Sequence, residues 1–227
     1  MNSTDLFQNP LRRWGKQKDG KRRPTVLVKE LRERDRRRMV KHFLELESAD
    51  RLLRFGTMLP DEQVEKYVNK IDFSRDVVLG VYNNVFKLVA VGHLAFAPKT
   101  EATEKERVAE FGVSVSKSAR GMGVGSKLFE RAAIHCRNND VDTLYMHCLS
   151  SNKTMMHIAK KAGMQIHRDY GEADAYLKVP LANPASVLQE ALDEQFATLD
   201  YTFKANRRIA TKWIGRLIGR KPPANKG

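Results

Sequence analysis

Three glycines occupy alternate positions in ARGMGVGSKLFERAA, residues 119 to 133, directly ahead of a run with apolar residues at helical spacing. Bare backbone at Gly121, Gly123 and Gly125 lets successive amide N–H groups converge on one space, and such a space suits an anion. The turn leads into Ser126-Lys127-Leu128-Phe129-Glu130-Arg131-Ala132-Ala133-Ile134. It therefore falls at a helix N-terminus, where unpaired N–H groups and the helix dipole favour phosphate. A diphosphate is the leading ligand. Two familiar phosphate loops do not fit the letters. A Walker loop ends Gly-Lys-Ser/Thr, whereas Gly125 is followed by Ser126 and then Lys127. A GxGxxG fingerprint needs a glycine at 126 or 128, where the chain has Ser126 and Leu128. A glycine-rich turn by itself is also what a tight connection looks like.

The preceding RVAEFGVSVS, residues 107 to 116, reads as a strand, so the order is strand, glycine turn, helix. In that setting Arg120-Gly121-Met122-Gly123-Val124-Gly125 resembles the Q/R-x-x-G-x-G/A signature of the GNAT superfamily of N-acetyltransferases. Downstream, TLYMHCLSSNKTMMHIAKKAGM (143 to 164) is similar to that family's next strand, the Asn heading its next helix, and the Lys-x-Gly-apolar end of that helix. Upstream, ADRLLRFGTMLPDEQVEKYV resembles the opening segment of many bacterial members. The resemblance covers residues 25 to 180. It implies an α/β fold of the α+β type, with a single mixed central sheet of six to seven strands flanked by helices.

The pass along the chain agrees with that architecture. TVLVKEL predicts a first strand, and RDRRRMVKHFLEL carries Met39, Val40, Phe43, Leu44 and Leu46 at helical intervals. A second helix is expected after Pro60, with Asp61, Glu62 and Glu65 in its first turns. RDVVLGVYN and FKLVAVGHLAFAP predict two strands joined at Asn83-Asn84, a pair that tolerates positive φ. KTEATEKE (99 to 106) predicts a turn, followed by strand 143–150, helix 153–162, and strands near 164–170 and 174–179. Beyond Pro180 the family pattern ends. Asn183-Pro184 suits an N-cap and first helical residue for an extra C-terminal helix, ASVLQEALDEQFATLDYTF. Its stripe of Val187, Leu188, Ala191, Leu192, Phe196 and Leu199 is expected to pack on the domain or on a second subunit, giving a homodimer. The final KANRRIATKWIGRLIGRKPPANKG is basic and amphipathic, suited to an anionic membrane surface or a polyanion, or else a solvated tail.

Charge supports this division into a basic N-terminal arm (1–24), a domain (25–180) and a C-terminal extension (181–227). Residues 1 to 24 hold seven Lys/Arg against Asp5 and Asp19, and residues 201 to 227 hold eight and no acid, so the flanks carry +13 of the net +14. The remaining 26 basic and 25 acidic residues leave the centre nearly neutral, which argues against a nucleic-acid-binding domain. No stretch of eighteen apolar residues occurs and the N-terminus lacks an apolar secretory core, so a cytoplasmic location is expected. Cys136 and Cys148 are too few for a disulfide framework, and the six histidines include no HExxH pair, so no metal is expected.

The resemblance assigns roles residue by residue. It implies that acetyl-CoA is the co-substrate and that Phe111, Gly112, Val113, Ser114 and Val115 line a slot, opened where this strand splays from its neighbour, for the pantetheine arm. It implies that main-chain amides from Arg120 through Gly125 cradle the diphosphate, with Ser126 and Lys127 adding a hydroxyl and a charge. Asn152 corresponds to the helix-opening Asn that bonds the pantetheine; an N-cap with no ligand is the alternative. Lys153, Lys160 and Lys161 are lesser candidates for nucleotide phosphate. Glu110 stands where several members place a catalytic glutamate, the base that frees the acceptor amine of its proton. Apolar neighbours Val108, Ala109 and Phe111 are expected to desolvate it, and pairing with Arg107 or Arg168 is the structural alternative. The family tyrosine that protonates the CoA thiolate is absent: the run reads Ile158-Ala159-Lys160-Lys161-Ala162-Gly163-Met164. Ser151, His157 and Tyr145 are weak substitutes, and a Cys148 acyl intermediate lacks an activating base.

The function expected is acetyl-CoA-dependent N-acetylation of a primary amine, on a protein lysine or a small molecule. Two readings from other classes stand beside it: a non-catalytic CoA-binding regulatory module, and a protein whose basic tails bind a polyanion or membrane surface.

Overall fold

The computed structural model describes residues 25–96 and 107–218. The basic arm at 1–24, the turn at 99–106 and the tail beyond 218 lie outside the described residues.

Near-continuous apolar runs in β2 (Val77–Tyr82) and β3 (Leu88–Phe96), buried on both faces, and the alternating β4 (Val108–Val115) make a meander, each strand antiparallel to the next. β1 (Lys29–Leu31) pairs antiparallel with β2. The sheet continues through β5 (Thr143–Leu149), β7 (Glu172–Lys178) and β6 (Gln165–Asp169), seven strands in the order β1-β2-β3-β4-β5-β7-β6. Only β4 and β5 run parallel, as their connection through α4 (Val124–Asn138) requires.

Because every second strand residue faces the same way, each side of the sheet buries its own cluster. One gathers Leu79, Val81, Leu94, Phe111 and Leu144 under Leu128, Phe129 and Ala132 of α4 and Met155 and Ile158 of α5 (Lys153–Ala162). The other gathers Val78, Tyr82 and Val91 under Met39 and Phe43 of α1 (Arg36–Leu44) and Val64 and Val68 of α3 (Asp61–Lys70).

Three expectations differ from what is found. A helix not foreseen, α2 (Ser48–Phe55), stands between α1 and α3; no side chain caps it and none of its residues is fully buried, so its amphipathic signal is short. In the β2–β3 turn the positive φ belongs to Phe86 (59°), not to the asparagines. The Asn83 carboxamide oxygen accepts from the amides of Val85 and Lys87 at 3.1 and 2.8 Å and closes the turn through its side chain, which leaves the buried Phe86 ring to stack on Tyr82 at 4.8 Å. Finally, α6 (Pro184–Ile218) runs 35 residues without a break where the tail was expected to begin.

Of the two packings expected for the α6 stripe, the one on the domain is not found. The helix's inward side is polar in the first half, where Glu190 meets Arg131 at 2.9 Å and His135 at 2.8 Å and Glu194 pairs with Lys29 of β1, and then buries Ala197 and packs Tyr201 on Tyr82 and Phe86. Val187, Leu188, Ala191, Leu192, Phe196 and Leu199, expected against the domain or a second subunit, do not pack on the domain: they face outward and are exposed. Arg131 is buried at 4 % side-chain exposure, and among the described residues its ion pairs are with Glu190 and Glu194 of α6, which favours this side turning in.

Candidate active site

β4 and β5 pair at Val108–Thr143, Ala109–Leu144 and Glu110–Tyr145, and then stop. β4 stays bonded to β3 as far as Val115, and β5 stays bonded to β7 as far as Leu149. Each strand follows its own outer neighbour, so the sheet forks, and the main chain of residues 111–115 is open towards β5. The family resemblance implies the pantetheine slot at this opening.

A cavity of about 170 Å³ occupies the fork, lined by Arg54, Phe55, Glu110, Gly112, Val113, His147, Cys148 and Met155 among others. Glu110 is exposed on its lip. Ala109 and Phe111 point to the opposite, buried side of β4, so they do not desolvate Glu110 as expected. Among the described residues neither Arg107 nor Arg168 pairs with it; Arg107 donates instead to the Asn139 carbonyl at 2.8 Å. Of the other slot positions, Phe111 is a core residue set edge-on to Phe129 at 5.6 Å, and Ser114 is buried with its hydroxyl 2.8 Å from His42 Nε2. Val115 lies beside the Gly125 backbone. These positions present main chain, not side chain, to the fork.

The three glycines of the turn have different reasons. Gly121 and Gly123 take φ of 73° and 76°, conformations that cost an L side chain strain. Gly125 is helical, and a Cβ there would stand 3.3 Å from Ile158 Cδ1, so it sets the approach of α4 to α5. Gly123 is the N-cap of α4 and no side chain caps that helix, which leaves its first N–H groups available to an anion. Nothing lies within 4 Å of a Cβ built at Gly121. This open, uncapped turn fits a diphosphate. Arg120 binds Asp50 of α2 and anchors the turn; Met122 is 37 % exposed and Val124 is buried. Ser126 is half-buried, and Lys127 reaches Glu130 at 3.2 Å.

Asn152 is buried and caps α5: its Oδ1 accepts from the Met155 amide at 3.1 Å and its Nδ2 donates to the Leu53 carbonyl at 3.4 Å. Lys153 and Lys160 are exposed and Lys161 half-buried. The Tyr145 hydroxyl donates to Asp174 at 2.6 Å, and burial first, then Asp174, raises its pKa. Tyr145, Ser151 and His157 are not among the residues lining the cavity. Cys148 does line it, but burial pushes its thiol up, away from thiolate. Cys136 is likewise buried and pushed up to about 12.

A polar chain lies behind the lip that the sequence did not reveal. Arg54 donates to the Tyr67 hydroxyl at 2.7 Å, the hydroxyl lies 2.8 Å from His93 Nδ1, and His93 Nε2 lies 3.2 Å from Asp76. Burial, then the Arg54 charge, lowers the His93 pKa, consistent with a neutral ring that accepts at Nδ1 and donates at Nε2. The Arg54 guanidinium also packs on Gly112, where a Cβ would come within 2.8 Å of its Cζ. On the other lip His147 Nδ1 lies 2.8 Å from Asp174 Oδ1. These residues come from α2, α3, β3, β5, β7 and the segment before β2. No spacing joins them in the chain, so no local signal marks them. Among the described residues no cluster of His, Cys, Asp and Glu suits a metal, and no helix is long and apolar enough to cross a membrane.

The sequence model of the Acetyltransferase (GNAT) family matches residues 40–164. Among solved structures, the GNAT domain of S. lividans PAT is similar at 21% identity and a TM-score of 0.58, over 68% of this chain and 91% of that one. A GNAT-family acetyltransferase from Streptococcus pneumoniae is similar at 15% identity and 0.52, over 67% and 98%. RimL, a ribosomal alpha-N-protein acetyltransferase solved with coenzyme A, is similar at 15% identity and 0.54, over 71% and 98%. A search of curated proteins finds no match to the sequence.

Proposed function

The chain belongs to the GNAT family of acetyltransferases, and from that premise we propose that it transfers the acetyl group of acetyl-CoA to a cationic primary amine by direct attack in a ternary complex. The observation that carries this reading is the position of Glu110: it is the last paired residue before the fork, on the lip of a cavity beside an open β4 main chain. The amides of Gly121 to Gly125 and the start of α4 hold the diphosphate, and the main chain of Phe111 to Val115 takes the pantetheine. Acetyl-CoA supplies the activated acyl carbon. Glu110 takes a proton from the entering ammonium, because only the neutral amine has a lone pair with which to attack.

The acceptor side is acidic and aromatic. Beside Glu110 the outward sides of β5 and β7 present Tyr145 and Tyr176, with ring centroids 5.1 Å apart, and the carboxylates of Asp174 and Glu172. Such a surface favours a cation, as a lysine side chain or a small polyamine provides. The test is release of free thiol from acetyl-CoA over a panel of amines. Tight acetyl-CoA binding with no turnover on any amine would favour the CoA-binding module instead.

The outward stripe of α6 supports a homodimer through this helix. Its exposed residues from Val187 to Phe203 include no charge on the apolar side. Two copies packed through this stripe bury it from water, and the same face of each copy meets the other.

A further inference from the structure

Breaking the thioester leaves a thiolate that must gain a proton, and the position where the family resemblance places a tyrosine is Ala159, 1 % exposed and packed in the core. No hydroxyl stands there. Across the fork from Glu110, however, His147 lines the same cavity. The register explains the placement. Tyr145 faces Glu110 in the last paired rung, so His147, two residues on and on the same face of β5, is the first such side chain beyond the point of separation. Its Nδ1 is turned to Asp174 Oδ1 at 2.8 Å, and Asp174 also accepts from the Tyr145 hydroxyl at 2.6 Å. With Nδ1 so engaged, Nε2 is the nitrogen left to act, 3.7 Å from Glu172 Oε1.

Resting on the acetyl-transfer reading, we propose that His147 is the general acid of the reaction, donating its Nε2 proton to the CoA sulfur, and that Asp174 is the positioning residue that holds the ring. The proton balance closes. The acceptor nitrogen loses one proton before attack and a second as the amide forms, and both leave through Glu110 and solvent. The carbon–sulfur bond breaks with its electron pair on sulfur, which takes the His147 proton; the imidazole recovers its own from solvent. The groups around the ring favour the charged form. The hydrogen bond to Asp174 raises its pKa above the ordinary 6.5 against the effect of burial, and the charges of Asp174, Glu172 and Glu110 act in the same direction. Arg54 shares the cavity from α2, and His167, paired with Asp174 in the β6–β7 register, acts on that carboxylate.

Turnover of acetyl-CoA by the full chain, with kcat and KM followed against pH, tests the assignment. His147→Gln is expected to lower kcat by about 10- to 100-fold with acetyl-CoA KM nearly unchanged, and to remove the alkaline limb of the kcat profile. Asp174→Asn is expected to keep that limb but move it to lower pH, with the His147 ring resonances titrating lower by the same interval. An unaltered kcat and alkaline limb in His147→Gln overturns the proposal while leaving Glu110 and the transfer reading in place. Absence of thiol release by the unsubstituted protein with every amine overturns both. If His147→Gln loses cofactor affinity, the Asp174→Asn profile decides, and a limb that does not move sinks the proposal.

Discussion

Glu110 of β4 and Tyr145 of β5 form the last rung of the parallel ladder, and beyond it the two strands part around a cavity. This single pairing sets a carboxylate beside the place where the β4 main chain opens. Glu110→Gln keeps the shape and removes the base. Its kcat is expected to fall by about 100-fold or more, while acetyl-CoA affinity measured by calorimetry stays near that of the unsubstituted protein, because main chain and not this side chain holds the cofactor.

Gly121 isolates conformational strain from steric conflict, since its φ is 73° and no atom lies within 4 Å of an added Cβ. Gly121→Ala is expected to cost about 1 kcal/mol and to lower the midpoint of thermal unfolding by about 2–4 °C. A drop many times larger would mean the turn packs more tightly than this.

Acid is expected to loosen the fold in two stages. Burial holds His42 neutral, with a pKa of about 4 against the ordinary 6.5, and burial lowers His93 as well. Between pH 6.5 and 4 the unfolded chain binds the proton that folded His42 refuses. That stability is present above pH 6.5 and is lost at about 1.4 kcal/mol per pH unit as pH falls towards 4. Glu190 acts lower. Burial works to raise it, but hydrogen bonds from His135 and Asn138 and the Arg131 charge hold it at about 2, so its contribution goes between pH 4.5 and 2. Denaturant unfolding at stepped pH should show both windows, and His42→Gln should flatten the first.

Glu190→Ala removes the carboxylate nearest a guanidinium that is 4 % exposed. An uncompensated buried charge costs about 3 kcal/mol, moderated by Glu194 at 3.7 Å. Chemical denaturation is expected to show most of that loss, together with release of α6 to limited proteolysis.

Phe196 is 59 % exposed at the middle of the outward stripe. Phe196→Glu in each of two facing helices sets like charges together, so sedimentation is expected to show the dimer becoming monomer, and unfolding is expected to lose its dependence on protein concentration. A monomer before the substitution would refute the dimer.

Most of the element order was legible in the chain because the signals are local. The helix expected at 153–162 is found at Lys153–Ala162, and the strand expected at 143–150 at Thr143–Leu149. The glycine turn and the helix after it were each written in a few consecutive residues, whereas the fork was implied only by the family resemblance. The helix at Ser48–Phe55 escaped because eight residues without a capping side chain give too short a period to read.

Alternation, turn chemistry and glycine spacing act over a handful of neighbours, so by itself the sequence determined most strands and the glycine turn that leads into a helix. Only the tertiary structure decided what surrounds the Glu110 carboxylate: Arg54, Tyr67 and His93 behind one lip, His147 and Asp174 on the other. It also decided that α6 turns Glu190, Glu194 and Tyr201 inward and leaves the stripe through Phe196 outside. Register between distant strands and the neutralisation of a buried guanidinium depend on contacts across many tens of residues, and no periodicity in the chain records a contact that only folding brings about.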